Sequence, residues 1–424
     1  MLMASQFYFC IIGPYYWILI KDARFIGYSW GAEAILSAAT LLSIGTSIVA
    51  FSVMLLWIFM PYKGPPKTVG VVPYTRASQS LAYVSAAGLI GALGCLYVLW
   101  KALSLGGGVQ RQDGLFLIAF QFSDLVIPVL IFLVGLKGYK PWVLGLLLLF
   151  AAYAVFTGLR YKLALIAIPL AVHFVLSRRM TITRGATVAG LFSGLLFFAS
   201  VMTNYRRKFE SIDLSGAKQL TTTGLLDGFF AETNIIFGLR SITSRHVDQG
   251  EFIYFQPVID AFLELIPRVL LPGRRTGEYL NEMRYGLGSG EGFHSGTTYP
   301  FVGEYAMMAG YPGVVLGCIL FATSAFLALH VIESSGQPAN VRRIGWGLVA
   351  ALFGYYAYSR GYSPQVLKAL LFVMLPYLFF CMRMKSPARG RRRQPQRSPT
   401  PPAGSGNGYS GLRPRREWTN GSRP

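Results

Sequence analysis

The chain has 424 residues, of which 53% are hydrophobic and 13% charged, about half the charged share of an ordinary soluble domain. Apolar runs close to twenty residues long match the roughly 30 Å hydrocarbon core that a helix of about 20 residues crosses. They exclude a soluble globule, and their continuity excludes a β-barrel, whose strands alternate apolar and polar. The net charge of +21 gathers in one tail and in short loops, where membrane orientation explains it more simply than a nucleic-acid groove.

Apolar segments fall near 4–20, 34–60, 78–100, 114–136, 141–158, 163–177, 185–203, 309–331, 345–359 and 365–382, which predicts about ten spans. The expected fold is therefore all-α: a polytopic transmembrane bundle with one large external loop. Pro14 and several tyrosines interrupt the first span, and the long second one has room to tilt. No basic n-region or small-residue cleavage site marks a signal peptide at the start. Cys10, Cys95, Cys318 and Cys381 each fall in or at the end of an apolar span without metal-ligand or paired spacing, and read as small buried hydrophobes.

Basic residues set the expected orientation. Lys63, Lys67, Arg76, Lys137, Lys140, Arg178, Arg179, Arg184, Arg342 and Arg343 lie in one set of loops, with eleven more after Cys381. The opposite short loops hold one or two each, such as Lys21 with Arg24. Both termini are expected in the cytoplasm, with the 204–305 block outside. Four regions follow: helices over 1–203, the external loop 204–305, helices over 306–382, and a disordered basic cytoplasmic tail over 383–424 whose charge suits anionic headgroups.

The 204–305 block holds twelve of the eighteen acidic residues and ten Lys/Arg. After Pro257, the residues Val258, Ile259, Phe262, Leu265 and Ile266 share one helical face while Asp260 and Glu264 share the other, and Pro267 stops the pattern. Such a helix lies in the membrane interface. Leu225 to Ile242 is a second amphipathic candidate, with Leu225, Phe229, Ile236 and Leu239 on its apolar side and Glu232 spoiling it. The alternative is a small cap packed on the bundle.

Phosphate-loop, dinucleotide, zinc and serine-hydrolase motifs are absent from the sequence. Gly288, Gly290 and Gly292 resemble a phosphate loop in composition alone. Polar residues at membrane depth say more. Asp124, in the middle of 114–136, is costly unless it faces a partner or a wet cavity, and so is a functional candidate; the alternative is a buried hydrogen bond to a neighbouring helix. His173 reads as a packing histidine. Arg160, in the turn Phe156-Thr-Gly-Leu-Arg-Tyr-Lys162, offers a planar, permanently charged fork suited to phosphate, or else a snorkelling helix end. Arg206, Arg207 and Lys208 follow the next span, and with Arg268, Arg274 and Arg275 they make the outer surface locally basic. His294 in the glycine-rich run can take a proton from a hydroxyl, with Glu304 as its orienter or as the base itself; a loop hydrogen bond is the plainer role for His294.

Three stretches resemble the oligosaccharide repeat-unit polymerases, the Wzy-like branch of the O-antigen polymerase and ligase families. They are Thr157-Gly-Leu-Arg160 entering Tyr161 to Ile168, then Leu265-Ile-Pro-Arg-Val-Leu-Leu-Pro-Gly-Arg274, and Phe301-Val-Gly-Glu-Tyr305 running on to Gly313. The resemblance implies a GT-C-like bundle in the bacterial cytoplasmic membrane. It also implies a glycosyltransferase joining repeat units carried on polyprenyl diphosphate, with no nucleotide sugar, no cofactor, no metal and no nucleic acid. Expected partners are the lipid-linked oligosaccharide, membrane lipids and a chain-length regulator. Arg160, Arg206, Arg207 and Arg268 are the expected diphosphate ligands, His294 or Glu304 the expected acceptor base, and Asp124 and Tyr305 further candidates. An O-antigen ligase shares this chemistry with a different acceptor. A flippase or transporter of lipid-linked sugars is the rival class; it favours internal repeats and paired broken helices, and no internal repeat is evident.

Overall fold

A computed structural model describes residues 6–22, 24–25, 28–29, 31–60, 78–104, 114–138, 140–157, 160–177, 230–266, 299–335, 337–359 and 361–383, with isolated positions at 181, 183, 186, 190 and 271. The chain divides into 1–386 and 387–424, and the second part lies outside the described residues. Among the described residues, five helices are long and apolar enough to cross a membrane: Ala32–Phe59, Ala82–Lys101, Leu115–Leu136, Phe301–Ser334 and Ser363–Met382. Three shorter apolar helices accompany them, Phe7–Ile20, Pro141–Ala154 and Tyr161–Ser177. Among the described residues the all-helical expectation holds except for a two-residue antiparallel ladder, β1 (Arg24–Phe25) with β2 (Tyr28–Ser29). Apart from positions 186 and 190, the apolar segment near 185–203 lies outside the described residues.

Helix α1 (Phe7–Ile20) is wound as π turns on either side of a short α segment carrying Pro14. A proline lacks an N–H and so cannot continue a regular ladder. After the β ladder comes α2 (Ala32–Phe59), then α3 (Ser78–Ser104). The next span is broken: α4 (Gly114–Phe122) passes through a 3-10 turn, Ser123–Leu125, into α5 (Val126–Lys137). Gly138, at φ 69°, ends α5, and Pro141 opens α6 (Pro141–Phe156). A glycine just past a helix end and a proline at the first position of the next make a tight turn. Helix α7 (Arg160–Ser177) follows.

Helix α8 (Ile235–Ile242) forms the end of the second amphipathic stretch. Ile235, Ile236, Phe237, Leu239 and Ile242 are buried while Arg240 is partly exposed and pairs with Asp248, so the apolar side of α8 packs into the protein core. It packs on α2, and α1 closes over it: Trp17 donates to Thr233 at 2.9 Å and Tyr16 stacks on Phe230. Leu225 and Phe229 lie outside the described residues. Helix α9 (Gln256–Leu263) comes next, then α10 (Phe301–Ser334).

Helix α10 is two helices joined by a kink at Ala309 and Gly310. Pro312 deprives the carbonyl four residues back of its donor, and Gly310 takes φ 63° and ψ −145°, a region open to glycine. The segment after α8 fills the break: Ile253 N–H donates to the Met307 carbonyl at 3.0 Å, and Phe252 covers Gly310. Helix α11 (Ala339–Ala351) continues through a π turn, Leu352–Tyr356, to Ser359. The last span starts as α12 (Ser363–Ala369) and, after a π turn, ends as α13 (Leu375–Arg383).

Lipid tails are as apolar as leucine, so close backbone approach holds such bundles. Helix α11 lies along α7, where a Cβ on Gly347 would meet the Cα of Pro169 at 2.5 Å. Helix α3 brings Gly91 and Gly94 close to the 3-10 turn: a Cβ on Gly91 would stand 2.9 Å from Val126 N, and one on Gly94 2.7 Å from the Ala119 carbonyl oxygen and 3.0 Å from Ser123 N. That contact fixes the turn carrying Asp124.

Candidate functional site

Two polar clusters sit at the end of the bundle where α7, α10 and α12 begin. The deeper one centres on Lys162, in the first turn of α7. Its ammonium lies 2.5 Å from Asp124 Oδ1, donates to Tyr153 Oη at 2.8 Å, and sits 4.0 Å over the Phe120 ring. Ser123 pairs with the same Tyr153 hydroxyl at 2.7 Å. Three helices therefore meet through one charge: α4 supplies Phe120, the 3-10 turn Ser123 and Asp124, and α6 Tyr153. An ion pair shielded from water is tolerable only when hydrogen bonds satisfy what remains of both groups; the tyrosine and the ring do so for Lys162. The lysine side chain is 2% exposed and the aspartate 19%. The carboxylate, unlike its partner, is partly exposed.

Helix α6 has 16 residues, about 24 Å at 1.5 Å per residue, short of a roughly 30 Å hydrocarbon core. Tyr153, near its end, and Lys162, in the first turn of α7, reach the same carboxylate region. An ionisable group inside an apolar span faces a partner or a wet cavity; Asp124 has Lys162 as its partner.

The second cluster joins α9 to α12. Glu264, just past the end of α9, accepts from Tyr362 Oη at 2.5 Å and from Lys368 Nζ at 2.8 Å. Asp260, one turn earlier, is fully buried and accepts from Gln256 at 2.8 Å. Meanwhile Ile259 is 51% and Phe262 62% exposed, with Tyr254, Phe255, Val258 and Ile266 also on the outside. The expected two-faced helix is present, with its acidic face turned into the protein and its apolar face out, as an interfacial helix against lipid requires. Burial first, then the charge of Glu264, pushes the Tyr362 phenol well above its ordinary value, with Asp260 and Glu304 adding to it. Lys368 links the two clusters, because its charge also acts on Asp124.

Glu304, in the first turn of α10, is buried. It accepts the Ser363 N–H at 3.0 Å and the Ser363 hydroxyl at 2.5 Å. A crossing of two backbones brings this about: Gly361 N–H donates to the Tyr299 carbonyl at 2.7 Å, and a Cβ on Gly361 would stand 2.3 Å from Phe301 N. Glu304 thus satisfies an otherwise orphaned donor at the start of α12. Tyr305 lies over Gly317 and meets Phe301 edge-on at 6.1 Å.

Of the residues singled out in the sequence, Asp124 and Glu304 are both placed at this end of the bundle. Arg160 opens α7, and its side chain lies outside the described residues, as do Arg206, Arg207, Arg268 and His294. His173 is half-buried on α7, its Nδ1 without a hydrogen-bond partner among the described residues. Lys162, Tyr153, Lys368 and Tyr362 were not foreseen. The membrane-depth argument that picked out Asp124 applies equally to both lysines, which stand inside apolar helices. Among the described residues no group of three or more His, Cys, Asp or Glu could hold a metal ion.

No family model, no curated protein and no solved structure matches this chain.

Proposed function

We propose that this chain is a membrane glycosyltransferase that polymerises polyprenyl-diphosphate-linked oligosaccharide repeat units. The observation that carries the reading is the inverted setting of α9: Asp260 and Glu264 face a charged interior while Ile259 and Phe262 face outward. A site between a polar interior and lipid suits a substrate that is a sugar at one end and an isoprenoid at the other. On this reading about ten spans form a GT-C-like bundle in the bacterial cytoplasmic membrane. The 204–305 block is then extracytoplasmic, and both termini are cytoplasmic. Arg160, Arg206, Arg207 and Arg268 bind the departing diphosphate, where cations stabilise the charge that develops as it leaves. A carboxylate at the junction receives the acceptor proton.

Cells carrying Glu264→Gln with Lys368→Met test this. The proposal predicts single repeat units on the surface or the carrier in place of long polymer. Full-length polymer with correctly inserted protein contradicts it.

A second reading, a flippase or transporter of lipid-linked sugars, draws support from one observation. A span broken at a charged residue, as at Ser123–Leu125 with Asp124, is a feature of transport sites near the bilayer midplane. Repeat units accumulating at the inner leaflet in the same cells favour it.

A further inference from the structure

We propose that Asp124 is the base that takes the proton from the attacking sugar hydroxyl, and that Lys162 is its positioning residue; the inference rests on the glycosyltransferase reading. Among the described carboxylates, Asp124 and Glu304 are held in different ways. Glu304 is tied through both oxygens to Ser363, joining the starts of α10 and α12. Asp124 is held through Oδ1 by a lysine that is sealed from solvent and engaged by Tyr153 and Phe120, while the aspartate side chain keeps 19% exposure.

The turn carrying Asp124 is closely packed, with room for no side chain at Gly94 or Gly91 of α3 beside its backbone. A carboxylate with one fixed oxygen and one accessible edge is what general-base catalysis needs, since the proton acceptor must come within hydrogen-bond reach of the hydroxyl. Lys368, partly exposed and paired with Glu264, is a second cation whose charge acts on Asp124.

The step balances. The acceptor O–H proton passes to the Asp124 carboxylate, and the oxygen bonds to the anomeric carbon of the donor sugar. The bond from that carbon to the diphosphate oxygen breaks, and its electron pair leaves with polyprenyl diphosphate. No oxidant or further reactant is required.

The test uses the full chain in lipid nanodiscs with polyprenyl-diphosphate-linked repeat units extracted from the source cells. Asp124→Ala is expected to lower kcat at least ~100-fold, within the range removed with a general base, and to leave KM near its original value. Added formate, a small carboxylate that fits the vacated space, is expected to restore part of the rate while leaving the unsubstituted enzyme unchanged. Asp124→Asn keeps the shape of the side chain and serves where the alanine variant does not fold; the same loss is expected. Lys162→Met is expected to lower kcat, and Lys162→Arg to recover part of it.

Elongation at the original rate in Asp124→Asn overturns the assignment. So does an alanine variant that melts normally, has lost activity and ignores formate. Chain growth by the unsubstituted protein with Asp124 dispensable leaves the glycosyltransferase reading standing and removes only this base. No chain growth by the unsubstituted protein overturns both.

Discussion

Lys162 holds Asp124 at 2.5 Å inside a membrane bundle, with Tyr153 and the Phe120 ring occupying the rest of its surface. The pair joins the first turn of α7 to the break in the neighbouring span. Breaking a buried pair by removing one partner typically costs roughly 3–5 kcal/mol, because the other charge is stranded. Lys162→Met is expected to lower stability by about that amount, and Asp124→Asn combined with Lys162→Met by clearly less. Thermal melts of both variants in nanodiscs check this; a double variant no better than the single one contradicts the pairing.

The kink in α10 makes a separate prediction. Gly310→Ala places a side chain where φ is 63° and ψ −145°, with Phe252 3.1 Å away, and strain of this kind costs about 1–3 kcal/mol. Gly145, helical and with nothing within 4 Å of a Cβ, is the control. Alanine there removes backbone freedom from a helix and is expected to be neutral or stabilising. Comparing the two midpoints separates strain from a general effect of losing glycine.

Helix α9 is predicted to lie against lipid by its apolar face. Single cysteines at Ile259 and Phe262, labelled with a fluorophore, are expected to be quenched by lipid-borne spin labels, while Asp260 labels poorly or not at all. Equal quenching by a water-soluble agent at Ile259 and Phe262 contradicts the placement.

Tyr362 supplies a pH dependence. Burial and the carboxylate of Glu264 raise its folded value, while a tyrosine in the unfolded chain titrates near pH 10. The proton is retained longer in the folded state, so the contribution is complete below about pH 10 and is lost as pH rises toward the higher folded value. Tyr362→Phe is expected to flatten that alkaline decline and to cost about 1.5–3 kcal/mol at neutral pH, the scale of a hydrogen bond to a charged group. Melting curves from pH 7 to 11 measure both. An unchanged alkaline slope contradicts the assignment.

The membrane helices were legible because hydrophobic length is a one-dimensional signal: a run such as Ala32–Phe59 or Phe301–Ser334 carries its own evidence. The amphipathic helix after Pro257 was legible for the same reason, through its period. Which way that helix turned was not, because periodicity defines two faces without saying which one meets protein. Lys162 was passed over in favour of Arg160, two residues earlier, since charge at a helix end looks superficial until its partner is known. That partner, Asp124, comes from a broken span on which Gly94 lets α3 close, a matter of packing between distant segments. The Ser363–Glu304 tie spans 59 residues, with no local pattern to announce it.

The central claim is that this charged junction joins lipid-linked sugars. The most direct measurement incubates the purified chain in nanodiscs with polyprenyl-diphosphate-linked repeat units, then separates the products by glycan length and assays released polyprenyl diphosphate. The account predicts a ladder of longer lipid-linked chains, one polyprenyl diphosphate released per linkage, and loss of both in Asp124→Asn. Unchanged single units with no release, from protein that is folded and inserted, would contradict it.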